Sequence, residues 1–332
     1  MEEKLFKSST TDFYVDTCVR ENALWTMDAC MTARAAYDTF GETAMWRRTL
    51  LNIAYAVDLN GCPQALAIPT GGNMILIDQN FHWVTSCLDY YNETKDIDLL
   101  VKIYPFAKRF FEFAKCYLTD ENLFVHPSFS WNFIDWARID RRPYSLPVNA
   151  LYIIALSAME EISIILNKNP IEYNECKKIL KIACLKFYNK DKKAFLTHIE
   201  PQTELSDYNQ FEFNNNDYNN IFRFGIHANS LAITAQIGTE DMRKNAADFI
   251  VSNFNEYGSD WLNFGPGWVY ILLDPLLKYR KKEELIEIIE KHYKKFVLNN
   301  QVTFCEGWGP ELHNSAHGWG SAINSLIKKI YK

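Results

Sequence analysis

The chain has 332 residues, of which 48% are hydrophobic and 15% are aromatic. This apolar share excludes an intrinsically disordered protein. The 35 basic and 41 acidic residues give a formal net charge of -6, which excludes a general basic surface for nucleic acid or anionic membrane. The nine tryptophans and eighteen tyrosines exceed what a helical core needs, and aromatic rings are one means of holding a sugar.

The N-terminal stretch and the cysteines indicate the compartment in which the protein works. The stretch MEEKLFKSSTTDFYVD contains no apolar run, so we predict no secretory signal. No segment reaches the roughly 18 apolar residues of a membrane span. The eight cysteines form no CxxC pair, and several, such as Cys87, Cys116 and Cys184, lie within apolar helical patterns. We therefore expect buried free thiols in a cytoplasmic protein that does not bind a membrane.

Apolar residues recur at helical spacing through most of the chain. In chain order they predict helices at residues 3–11, 26–39, 42–58, 78–93, 95–119, 146–166, 171–189, 223–237, 239–254, 265–279, 282–299 and 314–331. Start signals agree with this pattern, since Ser145 precedes a Leu-Pro pair and Gly265 precedes a proline. Pro275 lies inside an otherwise helical run and predicts a kink or an earlier helix end.

The connections alternate between tight turns and long links. The long links are residues 12–25, 59–77, 120–145, 190–222, 255–264 and 300–313. Strict alternation predicts a series of antiparallel helical hairpins with every long link at the same end. An open solenoid should show a sequence repeat of fixed period, and we find none. We therefore predict an all-α fold, an (α/α)6 toroid of six hairpins, formed by residues 1–332 as one domain.

Polar and aromatic side chains concentrate in or beside the long links, which a toroid gathers on one rim. Eight of the nine tryptophans lie there, and only Trp46 lies well inside a helix. Sugars stack their apolar faces on rings and bond carboxylates, arginine and histidine through hydroxyls, so the rim is a candidate carbohydrate site. The candidate residues are Asp16, Arg20, Glu21, Trp25, Asp28, Asp78, Trp83, Trp131, Asp135, Trp136, Glu306 and His317.

Hydrolysis of a glycosidic bond uses two flanking carboxyl groups, one that donates a proton and one that activates water or attacks the sugar. The acidic segments DTCVRENALWTMD (16–28) and TFCEGWGPELHNSAHGW (303–319) lie at opposite ends of the chain. A closed toroid brings its first and last hairpins together, which favours a pair formed by Glu21 and Glu306. The 41 acidic residues also offer other pairs on spacing alone.

Six segments, in order, resemble the catalytic barrel of glycoside hydrolase family 78, the α-L-rhamnosidases. VDTCVRE (15–21) and WTMD (25–28) are similar to the family's Asp-Cys-Pro-x-Arg-x-Glu and Trp-x-Gly-Asp motifs. IDQNFHWV (77–84) and WNFIDW (131–136) are similar to its next rim segment and its Trp-x-Phe-x-Asp-Trp. The segments TFCE and SAHGW, within 303–319, are similar to its Thr-x-Trp-Glu and Ser-x-x-His-Gly. The resemblance covers essentially the whole chain.

The resemblance implies an (α/α)6 barrel that hydrolyses a terminal α-L-rhamnoside or a similar sugar with inversion. It implies Glu21 as the general acid and Glu306 as the general base. The residues that it implies in bonding or enclosing the sugar are Asp16, Arg20, Trp25, Asp28, Trp136 and His317. The expected partner is a carbohydrate substrate, and no cofactor is expected. His313 and His317 lie four residues apart, but no glutamate stands between them in HExxH order, so no metal site is predicted.

Three alternatives stay open at this point. A degenerate barrel would bind carbohydrate without hydrolysing it. An unsaturated glucuronyl hydrolase or a polysaccharide lyase would share the toroid, with Arg138, Arg141 and Arg142 available to neutralise an acidic sugar. An α-solenoid scaffold would form an open superhelix instead. The Asn-rich segment FEFNNNDYNN (211–220) is expected to form an irregular loop over the rim, or a lid that helps to bind the substrate.

Overall fold

The computed structural model describes residues 12–18, 20–58, 60–67, 74–200, 222–260, 262–298, 303–309 and 316–332. The helix predicted at 3–11 and the Asn-rich segment 211–220 lie outside these residues, as do Trp261 and His313.

Within the described ranges the regular structure consists of eleven α-helices, a short β-hairpin and 3-10 turns. The α-helices are α1 (Thr26–Phe40), α2 (Ala44–Tyr55), α3 (Ile77–Thr94), α4 (Ile97–Lys115), α5 (Leu146–Ile165), α6 (Ile171–Ala183), α7 (Ile226–Thr234), α8 (Glu240–Glu256), α9 (Trp268–Leu273), α10 (Lys282–Leu298) and α11 (Ile323–Tyr331). The hairpin pairs β1 (Tyr188–Asn189) with β2 (Ala194–Phe195) in antiparallel register.

The odd-numbered helices form a closed inner ring. Helices α1, α3, α5, α7, α9 and α11 pack side by side in that order, and α11 packs against α1. The helices α2, α4, α6 and α8 each pack against the inner helix that precedes them in the chain. The predicted toroid of helical hairpins is therefore confirmed, and an open solenoid is excluded because the last inner helix contacts the first.

Helix α5 shows why the inner ring is so apolar. Its residues Leu146–Ile165 are long and apolar enough to cross a membrane by length and composition alone, so the expectation that no segment reaches such a length is wrong. The helix packs against α3, α6 and α7, and 67% of its apolar window is buried inside the protein. A core helix of a ring has neighbours on both sides, which accounts for this composition.

Several helices are shorter than the apolar pattern predicts. Helix α11 begins at Ile323, after a 3-10 helix, Gly318–Ala322, so the prediction of a helix from residue 314 is wrong. Helix α6 ends at Ala183 and continues as a 3-10 turn, Cys184–Phe187, before the hairpin, so the prediction of a helix to residue 189 is wrong. Helix α9 ends at Leu273, and a 3-10 helix, Asp274–Lys278, follows it. The early end at Pro275 is as predicted, because proline has no N–H for the helical bond and its ring crowds the preceding turn.

The thiols are mostly but not all buried. All eight cysteines are free, and five of them are buried: Cys30, Cys62, Cys87, Cys184 and Cys305. Cys116 follows the last residue of α4 and is exposed, so its predicted burial is wrong. The cytoplasmic location stays a prediction.

Three inner helices carry an asparagine at their fourth residue, and each asparagine holds the link that leads into its helix. They are Asn80, Asn149 and Asn229. The Asn149 amide donates to the carbonyls of Phe124 and Ser145, both at 2.9 Å, and its oxygen accepts from the Phe124 N–H at 2.8 Å. One side chain therefore binds both the start of α5 and the part of the preceding link that contains Phe124.

The same arrangement recurs at the next inner helix and, in part, at the previous one. Asn229 donates to the carbonyls of Phe195 and Gly225, at 3.0 and 2.9 Å, and accepts from the Phe195 N–H at 2.8 Å. Asn80 donates to the Pro63 carbonyl at 2.9 Å. We call these three residues the asparagine clasps. Each binds a segment of a long link to the first turn of an inner helix.

Replacing Asn149 by alanine is expected to lower the free energy of unfolding by about 2 kcal/mol, because the buried N–H and C=O of Phe124 lose their partner. Both residues are at most 1% exposed, so water cannot replace the lost bonds without a local opening. Urea denaturation of the variant measures the loss. The control is Asn324→Ala, whose amide bonds Thr39 Oγ1 at 3.3 Å near the surface and should change stability by less than about 0.5 kcal/mol. Equal losses in the two variants would contradict the role of the clasp.

Candidate active site

The segments that carry the two acidic motifs meet at the rim. The Asp16 N–H donates to the Ala23 carbonyl, and the Ala23 N–H donates to Asp16 Oδ1, both at 2.9 Å. The Gly318 N–H donates to the Asp16 carbonyl at 3.1 Å, so the 3-10 helix Gly318–Ala322 begins against the loop that Asp16 and Ala23 close. Asp16 itself is 1% exposed, and burial raises its pKa to about 6.

Arg20 joins the two candidate catalytic carboxylates. Its Nη2 lies 3.3 Å from Glu21 Oε1 and 3.2 Å from Glu306 Oε2, so these two oxygens are no more than about 6.5 Å apart. Glu21 is a third exposed and Glu306 is more deeply placed, at 12%. The pair predicted from the two ends of the chain is thus close enough to flank one glycosidic bond.

An indole N–H bonds the second oxygen of each carboxylate. Trp25, which precedes the first residue of α1, donates from Nε1 to Glu21 Oε2. Trp136 donates from Nε1 to Glu306 Oε1 at 3.0 Å. Each carboxylate therefore has one oxygen on the shared guanidinium and the other on its own tryptophan. Such bonds hold the orientation of both carboxylates in the absence of a sugar.

Asp28 and His317 form a buried pair beside these carboxylates. Asp28 Oδ1 lies 3.4 Å from His317 Nε2. Burial raises the pKa of Asp28 well above its usual range, and the charges of Asp16, Glu306 and Glu21 add to the rise. Burial lowers the pKa of His317 to about 3. The raised pKa of Asp28 and the lowered pKa of His317 both favour the uncharged forms of this pair.

Aromatic side chains line the rim next to Glu306. The ring of Trp136 lies 5.5 Å from that of Trp131 and 5.0 Å from that of Phe133, measured between centroids. Trp136 is 39% exposed, and Trp25 and Trp131 are partly exposed. These three indoles are available to a sugar ring.

Other tryptophans of the long links belong to the core. Trp83 is fully buried on α3, and its indole donates to the Leu50 carbonyl at 3.1 Å, so its predicted sugar contact is wrong. Residues five apart on a helix have side chains about 140° from each other, so Asp78 and Trp83 lie on different faces of α3. Trp268, Trp308 and Trp319 are also at most 4% exposed. Much of the aromatic excess thus packs the ring beneath the rim.

Asp78 supports the rim from inside. It is fully buried, so its predicted contact with a sugar is wrong. Its Oδ2 accepts from the Ile134 N–H at 2.9 Å. Ile134 has φ +55°, a left-handed conformation that a β-branched residue rarely adopts. The bond to Asp78 helps to stabilise this strained backbone, which stands between the aromatic residues Phe133 and Trp136.

Arg141 and Arg142 are already bonded within the protein, which disfavours the lyase alternative. The Arg141 guanidinium is partly buried and donates to the carbonyls of its own link, among them Phe133 O at 3.1 Å, while desolvation lowers its pKa to about 10. Arg142 pairs with Asp140 at 2.8 Å and with Glu200 at 2.7 Å. Neither guanidinium is presented to an acidic sugar.

Three residues near the site were not among the candidates. His227 bonds Asp135 at 2.9 Å, and the Gly265 N–H donates to the same carboxylate at 2.8 Å. Trp319 donates from Nε1 to the Glu306 carbonyl at 3.1 Å. The sequence indicates that these residues lie at helix starts or in links. It does not indicate where their side chains point, because that direction depends on the closed ring.

Replacing His317 by glutamine is expected to weaken the acid sensitivity of folding. Histidine in an unfolded chain titrates near 6.5, whereas folded His317 stays neutral down to about pH 3. The unfolded chain therefore takes up a proton that the folded protein does not, and stability is lost as the pH falls below about 6.5. At pH 5 this loss amounts to about 2 kcal/mol.

Urea denaturation at pH 7.5 and pH 5 measures this difference for both proteins. Between pH 7.5 and pH 5, the variant should lose about 2 kcal/mol less of its free energy of unfolding than the parent protein loses. Asp28 titrates in the opposite direction but is present in both proteins. An unchanged pH dependence would show that His317 is protonated in the folded protein.

The chain is thus a closed ring of helical hairpins with paired carboxylates and indoles on its long-link rim. A family model, the bacterial alpha-L-rhamnosidase six-hairpin glycosidase domain, matches residues 3–329. The chain belongs to this family of glycoside hydrolases. No curated protein matches the chain in sequence.

Solved structures share the fold at low sequence identity. The rhamnosidase of glycoside hydrolase family 78 from Bacillus sp. GL1 is 16% identical with a TM-score of 0.81, over 98% of this chain and 34% of that protein. The rhamnosidase from Klebsiella oxytoca, solved with rhamnose bound, is 17% identical with a TM-score of 0.78, over 100% of this chain and 63% of that protein. The present chain thus spans about a third of the Bacillus protein and less than two thirds of the Klebsiella protein.

A third similar structure matches in length as well as in fold. The mannosylglycerate hydrolase of family 63 from Thermus thermophilus is 10% identical with a TM-score of 0.66, over 98% of both chains. The toroid is therefore also found in a protein of about the same length.

Proposed function

We propose that the protein is an inverting glycosidase that releases a terminal α-L-rhamnose or a similar sugar. Glu21 is the general acid and Glu306 the general base in this proposal. The observation that carries the pairing is the shared contact with Arg20, which holds carboxylate oxygens from opposite ends of the chain within about 6.5 Å of each other. Inversion is proposed from the family resemblance, because this upper limit includes the separations of both inverting and retaining pairs. The family and the fold support the same reaction class.

The bonding of the two carboxylates suggests how the reaction proceeds. Arg20 is a third exposed, so a bound sugar can draw its guanidinium onto hydroxyl oxygens and release both carboxylates. Once the guanidinium has left it, Glu21 takes up a proton from solvent and gives that proton to the glycosidic oxygen as the bond to the leaving group breaks. Glu306 takes a proton from a water molecule that attacks the anomeric carbon from the opposite face. The indoles of Trp25 and Trp136 keep the two carboxylates in place during these steps.

The buried pair formed by Asp28 and His317 completes the sugar pocket in this proposal. Asp28 is 7% exposed and offers a carboxyl oxygen to a sugar hydroxyl, with His317 beside it. Asp16 is 1% exposed and accepts from the Ala23 N–H, so it supports this loop and its expected sugar contact is wrong. Burial and the neighbouring carboxylates favour the uncharged form of Asp28, which limits the negative charge next to the two glutamates. In the proposed mechanism one carboxyl group donates a proton and the other acts as the base, on either side of an oxocarbenium-like transition state.

The test is hydrolysis of a panel of 4-nitrophenyl glycosides: α-L-rhamnoside, α-D-mannoside and β-D-glucoside. We expect release of nitrophenol from the α-L-rhamnoside, with β-L-rhamnose as the first anomer seen by proton NMR. α-L-Rhamnose as the first anomer would show retention instead and would exclude Glu306 as a base acting through water. Binding of rhamnose in calorimetry without turnover of any glycoside would identify a non-catalytic barrel.

A further inference from the structure

We infer that Asp135 is a positioning residue for Glu306 and does not bind the sugar. This inference rests on the proposed function, since it assigns a role to the residue that orients the proposed base. Asp135 is completely buried, so the sugar contact expected from the sequence is wrong. Its carboxylate is instead the point from which two routes of contacts lead to Glu306.

The Asp135 carboxylate accepts from three donors. Oδ1 accepts from the Trp136 N–H at 2.7 Å, and Oδ2 accepts from the Gly265 N–H at 2.8 Å. His227 Nε2 lies 2.9 Å from Oδ2 and, since a carboxylate only accepts, donates to it. His227 is itself 2% exposed. The carboxylate is therefore held on several sides, and it joins the link before α5 to the link before α9.

The first route runs through the side chain of Trp136. Its indole is 39% exposed, so burial alone does not fix the ring. Its backbone N–H is fixed by Asp135, and its Nε1 donates to Glu306 Oε1 at 3.0 Å. A shift of the Trp136 backbone would move the indole and with it the Glu306 oxygen that the indole bonds. Asp135 thereby controls the orientation of the Glu306 carboxylate.

The second route runs through the backbone of Gly265. A Cβ at this glycine would lie 2.8 Å from Asp135 Oδ1 and 3.3 Å from the ring of Trp319, so the absent side chain lets both approach the same peptide. Trp319 Nε1 donates to the Glu306 carbonyl at 3.1 Å. The backbone of Glu306 is thus held by a ring that packs on the peptide bonded to Asp135. Side chain and backbone of the proposed base depend on one buried carboxylate.

Asparagine is the sharpest substitution at this position. It has the size of aspartate, but its amide nitrogen is a donor and must face at least one of the three N–H donors that converge there. At least one of the bonds from Trp136, Gly265 and His227 is then lost. A displacement of about 1 Å at a reacting group costs on the order of 10²-fold in rate.

The experiment compares Asp135→Asn in two backgrounds with an aryl α-L-rhamnoside. In the otherwise unchanged protein, we expect kcat to fall by about 10- to 100-fold while KM changes by less than about threefold. In the Glu306→Gln background, we expect Asp135→Asn to lower the residual rate by less than about twofold, because the base that Asp135 orients is already absent. The matched control is Asp140→Asn, a buried carboxylate of the same link that pairs with Arg142, with kcat within about twofold of the parent.

A second measurement does not depend on turnover. Proteins labelled with 15N-tryptophan give one indole N–H signal per tryptophan, and Trp136→Phe identifies the signal of Trp136. We expect this signal to shift in Asp135→Asn and in Glu306→Gln and to stay unchanged in Asp140→Asn. If the parent protein hydrolyses no glycoside, the proposed function fails, and the indole signal still decides the positioning role.

Two results would overturn the inference. One is an unchanged Trp136 indole signal in Asp135→Asn. The other is an equal loss of rate from Asp135→Asn in the two backgrounds, since a residue that only supports the pocket would lower the residual activity by the same factor. The melting temperatures of the variants separate a folding defect from either result.

Discussion

Replacing Glu21 or Glu306 by glutamine is expected to lower kcat for an aryl α-L-rhamnoside by about 10³-fold or more, at the upper end of what a single general acid or base contributes. Glutamine keeps the size of the side chain and its bond to the neighbouring indole, but it neither gives nor takes the proton at neutral pH. The control is Glu112→Gln on α4, an exposed side chain that pairs with Lys108 and should leave kcat unchanged.

The leaving group separates the two roles. An acid variant recovers much of its rate when the leaving group needs no proton, so Glu21→Gln should act far better on a dinitrophenyl than on a methylphenyl rhamnoside. A base variant is equally slow on both, and azide should restore Glu306→Gln by attacking the anomeric carbon itself. The same leaving-group dependence in the two variants would contradict the assignment, and equal activity in both variants and the parent would exclude it.

Replacing Gly318 by alanine is expected to lower the free energy of unfolding by about 3 kcal/mol. A Cβ at this position would lie 2.2 Å from Oγ1 and 2.9 Å from Cγ2 of Thr32, both from a fully buried side chain of α1. The added methyl group must push the 3-10 turn away from the ring. That movement also strains the bond from the Gly318 N–H to the Asp16 carbonyl, so activity should fall together with stability.

A double-mutant cycle tests the steric cause. Thr32→Ala removes both crowded atoms, although it also removes the 2.7 Å bond from the threonine hydroxyl to the Asp28 carbonyl. In this background Gly318→Ala should cost about 2 kcal/mol less than in the parent. Gly258→Ala, where a Cβ would meet nothing within 4 Å, is the control and should change stability by less than about 0.5 kcal/mol. Equal costs of Gly318→Ala in the two backgrounds would exclude the clash with Thr32.

The ring could be predicted from the sequence because its signals are local. Apolar spacing gives each helix, and alternating link lengths give the hairpins and the end on which the long links lie. The hairpin at Tyr188–Asn189 and the 3-10 turn before it were missed because residues 184–187 continue the apolar spacing of α6. Helix and turn have the same pattern over such a short stretch.

The candidate site could be predicted in part, and the limit has a physical cause. Motif order placed Glu21 and Glu306 on the rim, and the closed ring brings them to the same arginine. The direction of a side chain in a link is set by the backbone bonds around it, which the sequence does not display. Asp78 and Asp135 therefore looked like sugar ligands, although their carboxylates point at backbone N–H groups inside the protein.

The contact between α11 and α1 means that the paired glutamates exist only when the chain has closed on itself. During synthesis the segment with Glu21 leaves the ribosome before α1, whereas Glu306 follows only after α10. A chain made as far as α9 therefore has five of the six inner helices and lacks Glu306. The time at which activity appears would therefore report the final step of folding, in which α11 packs against α1.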